Sequence, residues 1–235
     1  MDTNKQIFDY KGKEVTVIVP DEDKKNGNWV WRAEFLGAFD YADKALLEKG
    51  WHIAYYKLSN MYGCNEAVEM MKDFHDFIID KFNLNSKAAI FGFSRGGLYS
   101  TNYTLKYPDD IGVLYLDAPV LDIKSWPGGL MTGEGAPNEW EECKRWYKLT
   151  DDTVKDFKEN PIDRIDELIE TGVPIILVAG GSDTVVPYCE NGEILAKKYE
   201  SSSVPFEVYV KPECGHHPHS LENPEPILNF IEKYI

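Results

Sequence analysis

The run Gly92-Phe93-Ser94-Arg95-Gly96-Gly97 sets a serine hydroxyl on a turn between an apolar stretch, Ala88-Ala89-Ile90-Phe91, and a helix-forming stretch lasting to about Lys106. This G-x-S-x-G spacing is that of a nucleophile elbow, where the turn is so tight that Gly92 and Gly96 must be nearly free of side chain. A serine hydroxyl attacks a carbonyl carbon only when a base removes its proton during the attack. The chain offers that base and an acid to orient it. Asp183 follows the strand-like run Ile175-Ile176-Leu177-Val178-Ala179, and His216 follows Phe206-Glu207-Val208-Tyr209-Val210 by way of Cys214-Gly215. Both therefore fall just past the C-terminal ends of strands, in the chain order Ser, Asp, His.

His217 and His219 compete with His216 for the role of base. Their alternative readings are a wall residue and a cap for the last helix, so His216, beside Gly215, is the expected base. Asp183 would hold its imidazole in one tautomer and stabilise the imidazolium. Asp122, Asp163 and Asp166 do not directly follow the strand next to the histidine strand. The tetrahedral oxyanion needs two fixed N–H donors. One is expected at Arg95, which opens the helix after the serine. The other is expected in the loop after the 15–19 strand, within Trp29-Val30-Trp31-Arg32, and Trp31 is assigned to it. The three histidines could also be read as a metal cluster. Adjacent residues rarely point the same way and no H-E-x-x-H partner is present, so neither a metal nor any other cofactor is expected.

Strands and helices must deliver these groups to one edge. Alternation over 6–10, a Lys11-Gly12 turn and the run 15–19 predict an opening hairpin. Residues 29–49 read as largely helical, and Trp51-His52-Ile53-Ala54-Tyr55-Tyr56 as a strand. Asn65 is positioned to N-cap a helix with Val68, Met71, Phe74, Ile78 and Phe82 on one face. Val113-Leu114-Tyr115-Leu116 is a further strand, and a helix over 226–235 closes the chain. This alternation predicts an α/β fold with a mostly parallel central sheet and helices on both faces. The exception is 121–172, a lid-like cap insertion with helices over 139–148 and 151–158. The 235 residues suit one domain spanning 1–235.

The formal charge of −15 argues against nucleic acid or an anionic membrane as partner, since both need a basic footprint. No apolar run approaches the roughly 20 residues that cross a bilayer. The start, Met1-Asp2-Thr3-Asn4-Lys5, lacks the layout of a signal peptide, which predicts a soluble, cytoplasmic chain, or a periplasmic or secreted one if an export signal was removed. The four cysteines, Cys64, Cys143, Cys189 and Cys214, lack metal-ligand spacing and read as free thiols.

Asn28-Trp29-Val30-Trp31-Arg32-Ala33-Glu34-Phe35, the elbow extended to Leu98, Lys124-Ser125-Trp126-Pro127-Gly128-Gly129 and Gly215-His216-His217-Pro218-His219-Ser220 are four patterns with a shared resemblance. From about Lys5 to Ile235 the chain resembles the α/β-hydrolase superfamily, and more narrowly a group of bacterial serine hydrolases known as esterases. The resemblance implies the α/β-hydrolase fold, with Ser94, Asp183 and His216 as nucleophile, acid and base. Trp29, Arg32, Trp126 and His217 are the expected pocket residues, with Tyr62 and Trp140 nearby. Aromatic faces beside charged groups suit a small-acyl ester, including an O-acyl group on a carbohydrate. The alternatives are a peptidase or thioesterase with the same triad, and a catalytically silent binding protein of this fold.

Overall fold

A computed structural model describes residues 4–235; residues 1–3, part of the stretch read for an export signal, lie outside the described residues. The chain opens with the hairpin β1 (Lys5–Tyr10) and β2 (Lys13–Ile18). Then follow β3 (Trp29–Arg32), α1 (Tyr41–Glu48), β4 (His52–Tyr56), α2 (Asn65–Phe82), β5 (Ala88–Phe93), α3 (Gly96–Lys106) and β6 (Ile111–Asp117). The 121–172 segment holds α4 (Pro137–Tyr147) and α5 (Ile165–Glu170), with short 3-10 turns between them. β7 (Ile175–Gly180), α6 (Gly192–Tyr199), β8 (Phe206–Lys211) and α7 (Glu225–Tyr234) complete it.

The eight strands form one sheet in the order β1-β2-β4-β3-β5-β6-β7-β8. β1, β2 and β4 pair antiparallel, and every pairing from β4 through β3 to β8 is parallel. This is the α/β-hydrolase fold. Alternation along the buried strands sorts the core into two layers. Trp29, Trp31, Ile90, Leu114, Leu116 and Leu177 face α2, α3, α5 and α6. Val30, Phe91, Phe93, Tyr115 and Val178 face α1 and α7. A third cluster, with Tyr62, Leu98, Ile123, Trp140, Cys143 and Val154, fixes the 121–172 segment to the main body.

Three expectations need correcting. Residues 29–32 are a strand, not the start of a helix; α1 begins only at Tyr41. The four residues Trp-Val-Trp-Arg are all buried between two parallel neighbours, an environment that suits aromatic and β-branched side chains and overrides the helical reading of the segment. Asn65 is the first residue of α2 rather than its cap, and its Oδ1 accepts from Lys106 Nζ at 3.0 Å. The segment 151–158 contains only a 3-10 turn, Thr153–Asp156. Among the described residues no helix is long and apolar enough to cross a membrane.

Candidate active site

β5 ends at Phe93 and α3 begins at Gly96, so Ser94 sits on the two-residue corner between them. Its φ is 49°, in the left-handed region that a side chain seldom adopts, at a cost of about 1–3 kcal/mol. Three backbone bonds hold the corner: Ser94 N–H donates to Asp117 O, while Ser94 O accepts from Gly97 N and Val120 N, all at 2.9 Å. The glycines make the corner possible. A Cβ on Gly92 would lie 2.0 Å from Ser100 Oγ, and one on Gly97 would lie 2.6 Å from Pro119 Cβ. Gly96 is less constrained, with its nearest contact at 3.3 Å from Glu34 Cβ. The third glycine of the motif is thus as necessary as the first.

Ser94 Oγ lies 3.0 Å from His216 Nε2, and His216 Nδ1 lies 2.7 Å from Asp183 Oδ2. The other oxygen of Asp183 accepts from the backbone N–H groups of Val185 and Val186, both at 2.9 Å. These two bonds fix the carboxylate so that its remaining lone pairs face the imidazole. The loops after β7 and β8 also touch each other. Ser182 N donates to Cys214 O at 2.9 Å, and a Cβ on Gly180 would fall 2.1 Å from Gly215 O. Cys214 helps to shape the histidine loop, its thiol donating weakly to His217 O at 3.4 Å.

The expected second oxyanion donor is wrong. Trp31 lies mid-strand, in register with Ala54 and Ile90, so its backbone belongs to the ladder. Ala33 N is also committed, donating to Phe91 O at 3.0 Å. Beyond it the strand ends, Phe35 takes φ 55°, and Glu34 comes alongside Gly96. The N–H groups of Glu34 and Phe35 have no hydrogen-bond partner among the described residues, and neither does that of Arg95. These are the donors available at the corner.

Of the expected pocket residues, Trp29 and Arg32 are fully buried in the sheet. Trp29 stacks on Trp31 at 5.5 Å under α2, and its Nε1 donates to Asn85 O at 3.0 Å. Arg32 makes a bidentate pair with Asp43, both bonds at 2.7 Å, and its guanidinium lies 4.1 Å from the centre of the Phe93 ring. These groups looked like a loop only while β3 went unread. Trp126 is half-buried, 6.3 Å from Tyr62 ring to ring, and His217 is exposed, stacked on Phe39 at 5.6 Å. Contrary to expectation, the histidines do not diverge: the ligand nitrogens of His216, His217 and His219 lie within 4.8 Å of one another.

Two polar arrangements flank the serine. The Arg95 side chain pairs with buried Glu34, Nε to Oε2 at 2.8 Å, and donates to Asn60 Oδ1 at 3.0 Å. Ser59 Oγ donates to the other oxygen of Glu34 at 2.9 Å. Arg95 keeps its proton more firmly than usual: Glu34 outweighs the opposing effect of burial. His219 Nδ1 meets Asp117 Oδ1 at 2.7 Å, and Asp117 Oδ2 also accepts from Ser220 N and Tyr115 Oη. Asp117 stands at a strand end, but spacing gives no sign that His219 is its partner.

The insertion supports the acid loop. Glu134 N donates to Thr184 O at 2.8 Å and Thr184 Oγ1 to Glu134 Oε1 at 2.7 Å, while Thr132 binds Glu190. A cleft of about 300 Å³ adjoins the elbow through Arg95, Glu34, Phe35, Leu36, Tyr55 and Ser59. A larger cavity of about 660 Å³, lined by Cys64, Asn102, Lys106, Trp146 and Phe157 among others, contains none of Ser94, His216 and Asp183.

Residues 48–235 match the model of the prolyl oligopeptidase family. The chain belongs to that family. It carries the α/β-hydrolase fold, and its family is one of peptidases rather than the esterase-like group that its short patterns resemble. Solved structures agree on the fold. Dipeptidyl peptidase 4 of Porphyromonas gingivalis superposes with a TM-score of 0.73 at 12% identity, over 99% of this chain and 35% of that one. A putative dipeptidyl aminopeptidase IV from Bacteroides ovatus gives 0.70 at 16%, over 99% and 36%. The chain thus spans about a third of either neighbour. A search of curated proteins found no match.

Proposed function

We propose that the protein cleaves peptide or related amide bonds through an acyl-enzyme formed on Ser94. The observation that carries this reading is the unbroken chain from Ser94 Oγ through His216 to Asp183, on a corner that holds the serine at φ 49°. His216 takes the serine proton as Oγ adds to the carbonyl carbon, then returns it to the leaving amine. Asp183 keeps the imidazole in the tautomer that presents a lone pair at Nε2. The oxyanion is held by the N–H of Arg95 and an N–H of the Glu34–Phe35 turn. Family membership is what favours an amide over an ester.

Cleavage of a small-acyl ester is the second reading, since the same apparatus attacks the more reactive carbonyl as well. Its carbohydrate form loses support, because Trp29 and Tyr62, which were to line a sugar cleft, are buried in the fold. We assign 121–172 to one wall of the site, braced against the loop of Asp183. The release of dipeptides by the solved neighbours is named for chains about three times as long. It enters here as one candidate specificity.

The test begins with a fluorophosphonate probe, using Ser94→Ala as the control. Labelling that depends on Ser94 is expected; its absence would make the protein a silent binding module. A panel of aminoacyl, dipeptidyl and N-blocked p-nitroanilides then runs beside p-nitrophenyl acetate, longer acyl esters and a thioester. Turnover of at least one anilide supports the peptidase. Labelling with turnover of esters or thioesters alone overturns it.

A further inference from the structure

Three imidazoles converge on the loop after β8. Ring centres in the His216, His217 and His219 set are 4.8–5.0 Å apart, and the rings stand at steep angles to one another. Two of them already have carboxylates on Nδ1: Asp183 for His216 and Asp117 for His219, each at 2.7 Å. A carboxylate there holds the proton on Nδ1 and leaves Nε2 as a lone pair. This is the outer-shell arrangement that orients imidazole ligands on zinc and raises their basicity. Among the described residues the His217 ring makes no hydrogen bond, and its exposed side chain is free to turn.

We propose that His216, His217 and His219 form a binding site for a divalent transition-metal ion of the zinc type, and that occupancy switches the hydrolase off. The ion takes the Nε2 lone pair of His216 and displaces its hydrogen bond with Ser94 Oγ. The serine then has no base. Tetrahedral coordination at about 2.0–2.1 Å places ligand nitrogens roughly 3.4 Å apart, so ring nitrogens now within 4.8 Å of one another must close by roughly 1.4 Å at most. Of the three rings, exposed His217 is the one not held by a carboxylate, so it is the one placed to move. Three nitrogen ligands without a directly facing carboxylate select zinc, nickel or copper over magnesium and calcium. The site is inhibitory, with no part in the chemistry, and Asp183 and Asp117 act only as its outer shell.

Metal binding does not depend on what the enzyme cleaves; the loss of rate rests on the reading of His216 as base. The two are measured separately on the full chain. After EDTA dialysis, cobalt(II) is titrated into Ser94→Ala and followed by visible absorption. One tetrahedral cobalt per chain is expected, displaced by zinc, and weakened at least tenfold by the added substitution His217→Ala. No tetrahedral spectrum, or one that His217→Ala leaves unchanged, overturns the site whether or not the protein proves active. For the effect on rate, p-nitrophenyl acetate turnover is measured with and without micromolar zinc. At least tenfold inhibition is expected, reversed by EDTA and not reproduced by magnesium. The rate ratio within His217→Ala should need at least tenfold more zinc. Stoichiometric cobalt binding with undiminished turnover would overturn the switch.

Discussion

Two histidine–aspartate pairs lie side by side at the edge of this sheet, with almost the same local geometry. His216–Asp183 and His219–Asp117 both join Nδ1 to a carboxylate oxygen at 2.7 Å, and both aspartates also accept from backbone N–H groups. They differ at the other end of the ring. His216 presents Nε2 to Ser94 and is partly open to solvent. His219 is buried, edge-on to Phe39 at 5.3 Å and 5.6 Å from Phe93. Its aspartate closes a small network with Ser220 N and Tyr115 Oη. A carboxylate on Nδ1 therefore does not by itself mark a base. A nucleophile within reach of Nε2 does.

The largest effect separates the two rings directly. His216→Ala should lower kcat by about 10⁶-fold, the scale at which loss of a triad base removes the whole unit. His219→Ala should cost at least a thousandfold less. Rates on p-nitrophenyl acetate, with circular dichroism to confirm folding, decide it; similar losses would erase the distinction. Asp183→Asn comes next. An asparagine keeps the shape but presents an N–H or a weaker acceptor to Nδ1, so a loss of about 10⁴-fold is expected. If Asp183→Asn retained a tenth of the rate, Asp183 would be a structural carboxylate like Asp117.

Most of the fold, and the meeting of Ser94, His216 and Asp183 at one edge, is legible in the sequence because each depends on local pattern. The elbow needs glycines at fixed offsets, Asp183 follows the wholly apolar run of a buried strand, and His216 follows an alternating run that reads as a strand even at the sheet's exposed edge. What failed shares one cause. Residues 29–32 read as part of a helix running to 49, and nothing local announces that Arg32 is buried and neutralised by Asp43, eleven residues on. Without β3, the expected second oxyanion donor, Trp31, falls on a residue committed to the sheet, and the expected pocket takes in the buried Trp29 and Arg32. A long-range polar pair such as Asp117 with His219 leaves no spacing signature. Only the assembled sheet brings the two together.

His52 extends the comparison to a buried histidine that has no carboxylate partner. Burial, helped by the positive charge of Lys25, pushes its pKa down to about 4. Its ring Nδ1 has no hydrogen-bond partner among the described residues. Below pH 6.5 the unfolded chain takes up a proton that the folded chain refuses. The contribution of this site is therefore full above pH 6.5, falls as the pH drops, and is gone by about pH 4. The slope comes from the proton that only the unfolded chain binds in this window. His52→Leu should flatten this part of the pH–stability curve measured by urea unfolding between pH 7 and 4.5. An unchanged slope would mean that His52 is as well solvated as an exposed imidazole.

The smallest effect tests Asp117 itself. Asp117→Asn can still accept from His219 Nδ1 through Oδ1, but its amide then faces the N–H of Ser220, donor against donor. Tyr115 Oη can turn to accept from that amide; Ser220 N cannot. One buried N–H is orphaned, at a cost of about 2 kcal/mol. Activity should fall only a few-fold, because Ser94 N is held by the backbone carbonyl of Asp117, which the substitution leaves in place. Thermal unfolding and kcat measured on one preparation give the contrast with Asp183→Asn: stability lost and rate nearly kept, against rate lost and stability nearly kept. A collapse of kcat in Asp117→Asn at unchanged stability would move His219 from the scaffold into the catalytic apparatus.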